Sequence, residues 1–289
     1  MWGWIGRILA GLIVIGAITG GVAFTRYPDL VYRFAAGQIS SYREKVFGEL
    51  SIAEAGYWMP VAKGVERRIL TIRRGGDHAL DLVALRMDPG HVRIEVVAIK
   101  PAEIGTKPIG VLSESLGAIA MMNGSFFNEE LGILGLCVSK GHEVSPLVKA
   151  GDHRGVFAVY DGRADLVERD RYTGSGVTNA IQSGPWLVRD GSALKDFDNK
   201  DRVTRRSAVA TDKKGRVIFV VTDTVMSGIT LAHFAEVLAL PEGKGGFGVA
   251  QALNLDGGTS TQLALRGETD ARLIRGFVNV PVLLAVFAR

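Results

Sequence analysis

The chain has 289 residues, 47% hydrophobic and 22% charged, which allows one sizeable buried core with an appendage and excludes a disordered chain. Its 34 basic and 30 acidic residues give a formal net charge of +4, and the Lys and Arg residues are scattered instead of forming a stripe along which a phosphate backbone could run, so nucleic acid is set aside as a partner. The single cysteine, Cys137, excludes an intrachain disulfide, and with five singly placed histidines there is neither a Cys/His zinc cluster nor a Cys–His nucleophilic pair. No metal or other cofactor is called for, although a carboxylate site for Ca²⁺ or Mg²⁺ stays open.

From Ile8 to Phe24 every residue is apolar, Gly or Thr, with Trp2 and Trp4 before the run and Tyr27 after it, where rings at a water–lipid boundary would stand. Residues 1–27 therefore read as a membrane segment. An uncleaved anchor is preferred to a secretory signal cut near Gly21-Val22-Ala23, because the apolar run exceeds the ~7–15 residues of such signals. Arg26, Arg33, Arg43 and Lys45 follow the run while Arg7 stands alone before it, so the charge rule taken literally puts the body in the cytoplasm. Residues 28–59 are expected to form an amphipathic linker helix, from the helical spacing of Leu30, Phe34, Ile39, Tyr42, Val46 and Phe47.

From Val65 onward short apolar runs alternate with Gly and Asp-Gly turns. Ile69–Ile72, Leu80–Arg86, Val92–Ile99, Ala118–Met122, Val156–Tyr160 and Val217–Val221 are expected strands, and Ile109–Leu116 and Leu231–Leu240 the clearest helices. The pattern predicts one mixed α+β domain over residues 60–289, with a mixed sheet and few helices. Arg205–Ala210 and Val217–Val221, joined by Lys213-Lys214-Gly215, read as a hairpin. Ala180–Gly191 reads as a tight turn, a strand and a second turn. Gly243–Gly248 satisfies the letter of a dinucleotide GxGxxG, but it follows a helix and precedes a strand, so a plain loop is expected.

The segment from Val217 to Asp256 reads as strand, helix, strand, with Thr230 as N-cap and Leu231, Phe234, Ala235 and Leu238 as the buried helix face. A right-handed crossover would bring Asp223 and Asp256 to one sheet edge, on adjacent strands or strands one neighbour apart. Asp256 then opens Gly257-Gly258-Thr259-Ser260-Thr261, a bare turn followed by hydroxyls. Asp223 is read evenly as a site carboxylate or a loop-initiating residue. Asn123, at the end of an apolar run, is a candidate for sugar hydrogen bonding, with a structural turn Asn as its alternative; Phe126, Phe127, Trp186 and Cys137 read as core. Arg206 has the planar fork suited to phosphate, whereas Arg205 reads as a solvated surface residue.

Asn123-Gly124-Ser125-Phe126-Phe127, Ala180–Gly191, Arg206-Ser207-Ala208 and Leu253–Ser260 occur in the order of the phosphodiester glycosidase family, which this chain resembles over roughly residues 118–265. It departs from the family's more glycine-rich forms at Ser125, at Gln182-Ser183 and at Thr259. The resemblance implies a hydrolase cleaving a sugar-1-phosphodiester, with Asp256, Asp223 and Arg206 catalytic. It further implies that Asn123, Ser183, Gly184, Gly257, Gly258, Ser260 and Thr261 bind a phosphate-linked saccharide. Because such substrates are envelope or exported glycans, it also implies a membrane-anchored body on the periplasmic or extracellular side, against the charge count. The alternative is a non-catalytic saccharide-binding or exopolysaccharide-assembly module of the same fold.

Overall fold

Strands dominate because buried positions recur in twos, as in Val65–Arg74, where they fall at Arg68, Leu70, Ile72 and Arg74. The computed structural model describes residues 50–74, 77–197 and 202–289. In chain order the strands are β1 (Leu50–Ala55), β2 (Met59–Ala62), β3 (Val65–Arg74), β4 (Asp77–Met87), β5 (Val92–Ala98), β6 (Ala120–Asn123), β7 (Cys137–Ser139), β8 (His142–Ser145), β9 (Gly155–Tyr160) and β10 (Arg163–Glu168). They continue with β11 (Asn179–Ser183), β12 (Trp186–Arg189), β13 (Ser192–Ala193), β14 (Ser207–Thr211), β15 (Val217–Asp223), β16 (Gln251–Asn254), β17 (Leu263–Arg266), β18 (Ala271–Ile274) and β19 (Val282–Ala288). Among the described residues there are two α-helices, α1 (Ile109–Leu116) and α2 (Leu231–Ala239).

These strands form three sheets: a nine-stranded one in the order β1-β3-β4-β15-β14-β16-β12-β13 with β2 on β3, and two five-stranded ones, β10-β9-β11-β7-β8 and β18-β17-β6-β19-β5. One core lies between them, where Phe219 and Leu253 of the large sheet meet Phe157 and Ile181 of the second and Met122 and Leu284 of the third. Helix α2 covers the opposite face of the large sheet, and α1 the outer face of the third.

Helix α2 follows its local signals. Thr230 Oγ1 accepts the His233 amide at 3.2 Å, and the buried face is Leu231, Phe234, Ala235 and Leu238, so N-cap and apolar spacing both act as expected. The crossover geometry also holds: β15 and β16 are each antiparallel to β14, which lies between them, and are therefore parallel to one another. A mixed sheet does not result. Every ladder among the described residues is antiparallel, because β14 fills the slot between the two parallel strands. The domain is thus mostly β, with few helices.

Two further expectations change. The linker helix does not extend to residue 59: β1 pairs with β3, since Leu50, Ile52 and Ala55 pack on the α2-side core and period-two burial wins there. The Ala180–Gly191 stretch is strand, turn, strand, with Asn179–Ser183 in the second sheet and Trp186–Arg189 in the large one; the Gly184-Pro185 break marks a turn but not a change of sheet. The expected membrane segment and most of the linker lie outside the described residues. No described helix is long and apolar enough to cross a membrane.

The sheets approach closely where Gly155 of β9 faces Leu253 of β16, since a Cβ there would stand 2.2 Å from Leu253 Cδ2. Overpacking of a filled core costs roughly 1–3 kcal/mol. Gly155→Ala should therefore lower the urea midpoint with unchanged slope, and should cost clearly less in a Leu253→Ala background; equal costs in the two backgrounds would show that the contact is not the cause.

Candidate active site

The ends of β6, β11, β14 and β16 meet around Asp256. Asn123, the last residue of β6, is fully buried, and both ends of its carboxamide are hydrogen-bonded. Nδ2 donates to the Asp256 carbonyl (2.6 Å), while Oδ1 accepts from Ser207 Oγ (2.9 Å) and the Gln262 amide (3.1 Å). The Asp256 amide in turn donates to the Gly124 carbonyl (3.2 Å). The main chain of Asp256 is therefore held on both sides while its side chain and Gly257 stay half-buried, and its Oδ1 accepts the Gly257 amide (2.9 Å).

The turn that follows, Gly258–Ser260, is a single 3-10 turn with every residue buried. Both glycines have reasons of backbone geometry. A Cβ on Gly257 would come 2.8 Å from the Arg205 carbonyl oxygen, and Gly258 has φ +60°, a region that L residues other than Gly rarely enter. Ser260 and Thr261 are buried, and Thr261 Oγ1 lies 3.3 Å from Ser207 Oγ. Ser183 and Gly184 reach the same region through β16: Ser183 Oγ donates to the Asn254 carbonyl (2.7 Å) and Asn254 Nδ2 to the Gly184 carbonyl (3.2 Å).

Asp223 shares the edge, two strand spacings from β16, or roughly 10 Å. Its carboxylate turns to β18, where Arg272 Nε and Nη2 donate to Oδ2 at 2.9 and 2.5 Å. Arg272 Nη2 also lies 3.8 Å from Asp81, which receives Thr71 Oγ1 and contacts His78 Nε2, both at 3.0 Å. One guanidinium thus stands between two carboxylates.

The two arginines differ from expectation. Arg205 is not a solvated surface residue: it is 1% exposed, with its guanidinium carbon 5.2 Å from the Phe277 ring centroid and Nη2 donating to the Arg275 carbonyl (3.0 Å). Arg206 is 8% exposed; Nε donates to the Ile229 carbonyl (3.1 Å) and Nη2 to the Arg202 carbonyl. Much of the fork offered to phosphate is therefore occupied by main-chain carbonyls. Two adjacent charges carry no local signal that one strand end can bury both.

Other groups went unread. Phe126 is not core: it is half-exposed and stacks on His153 at 4.7 Å and 13°, beside the close approach of Asp152 and His153 to Gly184. Ser125 Oγ and Asn254 Oδ1 are buried without a hydrogen-bond partner among the described residues, against the usual pairing of buried polar atoms. Asn254 ends an apolar strand as Asn123 does, a signal that residue type alone carries; His153, in a polar loop, carries no comparable one. Trp186 is 5% exposed and Cys137 fully buried, and burial pushes the Cys137 thiol up to about 12, so both are core residues. Among the described residues no group of three or more His, Cys, Asp or Glu is placed to hold a metal ion.

A family model described as phosphodiester glycosidase matches residues 116–287. The chain belongs to the phosphodiester glycosidase family. The match includes all four segments that converge on Asp256. Solved structures share the fold: the zebrafish N-acetylglucosamine-1-phosphodiester α-N-acetylglucosaminidase catalytic domain auto-inhibited by its pro-peptide is similar with TM-score 0.58 and 19% identity, over 86% of this chain and 93% of that one. A hypothetical protein from Synechocystis gives 0.60 and 18% over 80% of this chain, which spans 64% of its length. A Burkholderia pseudomallei protein assigned as exported gives 0.51 and 14%, over 75% and 76%. Comparison with curated proteins gives no match.

Burial holds the His153 imidazole below its ordinary value; the Asp152 charge and a backbone hydrogen bond with Leu134 act the other way but are smaller. A base whose pKa is lowered on folding favours the neutral form, so its contribution to stability is full above the unfolded value of about 6.5 and is lost as pH falls through it. Denaturation followed from pH 8 to 5 should show a stability loss below about 6.5 that is smaller in His153→Gln; identical profiles for the two proteins would exclude His153 as its source.

Proposed function

We propose that the chain is a glycosidase that hydrolyses the bond between a sugar and phosphate in a sugar-1-phosphodiester. The observation that carries this is the half-buried Asp256 carboxylate at the junction of the four family segments, on a main chain fixed from both sides. A phosphate monoester is a weakly basic leaving group, so less demand falls on a general acid than in ordinary glycoside cleavage. What the reaction requires is a carboxylate for the oxocarbenium-like centre or the attacking water, and a rigid frame that keeps it there.

In this reading Asp256 is the catalytic carboxylate and Asn123 a positioning residue that fixes the Asp256 main chain. Arg206 braces the 202 and 229 loops through their carbonyls, acting on phosphate only through the frame. Asp223, bound by Arg272, shapes the charge of the edge. The bare Gly257 and the Phe126–His153 pair, both partly open to solvent, would meet the saccharide; Ser183, Gly184, Gly258, Ser260 and Thr261 support that surface from beneath.

The test is turnover of a sugar-1-phosphate ester by the full chain. Asp256→Asn keeps the shape and removes the charge, and should lower kcat by about 10³-fold or more with an unchanged melting temperature, as loss of a group that stabilises transition-state charge does. Asp223→Asn should cost about tenfold or less, typical of losing a remote electrostatic contribution. Full activity in Asp256→Asn would remove it from the chemistry, and saccharide binding by the wild type without turnover would favour the binding-module reading.

We further propose that Ile8–Phe24 anchors the protein with the domain outside the cytoplasm, where phosphate-linked envelope glycans occur. Reporters fused after residue 60, one active only in the cytoplasm and one only outside it, should give signal from the second alone. Signal from the cytoplasmic reporter would instead uphold the charge count around the segment.

A further inference from the structure

Behind the Gly258–Ser260 turn, the loop after β18 and the start of α1 enclose a cleft of about 480 Å³. Its walls include Val111, Leu273 and Phe277, which are 50%, 45% and 38% exposed, so apolar surface continues from the cleft onto its lip. Contiguous apolar surface of this kind marks a binding region more often than an ordinary exterior. The cleft also shares a wall with the turn after Asp256: the Phe277 amide donates to the Thr259 carbonyl (2.7 Å), and Gln262, held through its own amide by Asn123, lines the cavity. Gln262 is only 7% exposed, yet its carboxamide forms no hydrogen bond among the described residues.

Charge around the cleft is predominantly basic, with Lys107 and Arg275 against the single carboxylate of Glu114. Lys107 and Arg275 line the cleft and are solvent-exposed, and neither has a described carboxylate within ion-pair distance. The acidic lining residue, Glu114, instead lies 3.9 Å from Arg266. A long apolar trough with an unpaired amide on its wall and two unpaired cations at its mouth fits an amphiphile with one anionic end.

We infer that this cleft receives the apolar aglycone of the substrate, an aliphatic or prenyl chain, with the phosphate at the Lys107 and Arg275 mouth and the sugar toward Asp256. The inference rests on the phosphodiester glycosidase reading and narrows it to a lipid-like phosphodiester. Each methylene that enters the cleft should raise affinity about fourfold, so chain length is the property to vary.

The experiment uses the full chain in one fixed lipid or detergent preparation, which cancels partition of the probe when variants are compared. Octyl phosphate should bind at least tenfold more tightly than ethyl phosphate, and kcat/KM should favour an octyl over an ethyl sugar-1-phosphate ester by a similar factor. Val111→Asp and Leu273→Asp, at exposed lip positions, should remove both preferences while leaving turnover of the ethyl ester within twofold. Turnover without chain-length preference overturns the inference and leaves the hydrolase reading standing. Chain-selective binding of octyl phosphate without turnover of either ester overturns the hydrolase reading, and with it the aglycone role, leaving only an alkyl phosphate site. Binding of octanol as tight as that of octyl phosphate removes the phosphate from the mouth and also counts against it. If octyl phosphate binds no more tightly than ethyl phosphate, the apolar lip does not hold the chain of the ligand and the inference fails.

Discussion

The carboxamide of Asn123 ties together two sheets at the point where the polar bonds between them are most deeply buried. It ends a strand of the third sheet, donates to the main chain of Asp256 beyond the end of β16 in the large sheet, and accepts from Ser207 at the start of β14 and from the Gln262 amide before β17. In water these bonds would be worth little, because each group would exchange one partner for another. In a site with no solvent access the comparison is with unsatisfied polar groups, at about 1–3 kcal/mol each. The geometry is therefore fixed less by the strength of the bonds than by the cost of leaving any of them unmade.

That constraint explains the division of labour around the turn. Thr259, Ser260 and Thr261 are buried and belong to the frame, as do both glycines by their backbone geometry. What remains open to a ligand is small: the Asp256 side chain, Gly257, and the stacked Phe126 and His153. A carboxylate on a rigid main chain loses little freedom when charge develops beside it, which is the condition under which electrostatic stabilisation is most effective. Farther along the edge, Asp223, Arg272 and Asp81 form a chain of alternating charge that crosses from the large sheet to β18, so the same edge is braced electrostatically where Asn123 does not reach.

The cleft behind the turn is continuous with this frame through Gln262 and Phe277. Its apolar lip and its unpaired cations come from segments far apart in the chain, the start of α1 and the loop after β18. Apolar residues left open beside a compact polar turn are costly to solubility unless something covers them, and a substrate bearing both an anionic and an apolar part would cover both features at once.

Local order was readable from residue types. Thr230 and the Leu231, Phe234, Ala235, Leu238 face set α2, the Lys213-Lys214-Gly215 turn set the hairpin of β14 and β15, and the ordered segments around Asn123, Arg206 and Asp256 marked the family; capping, period and turn chemistry all act within a few residues. The tertiary structure alone decided which of those residues face solvent. It put β14 between the two parallel strands, turned Leu50–Ala55 into an edge strand, buried Arg205 and tied Arg206 to carbonyls, made Asn123 a brace, and opened Phe126 and His153 to the surface. Each of these depends on partners distant in sequence, and burial and hydrogen-bond satisfaction are settled only when those partners arrive.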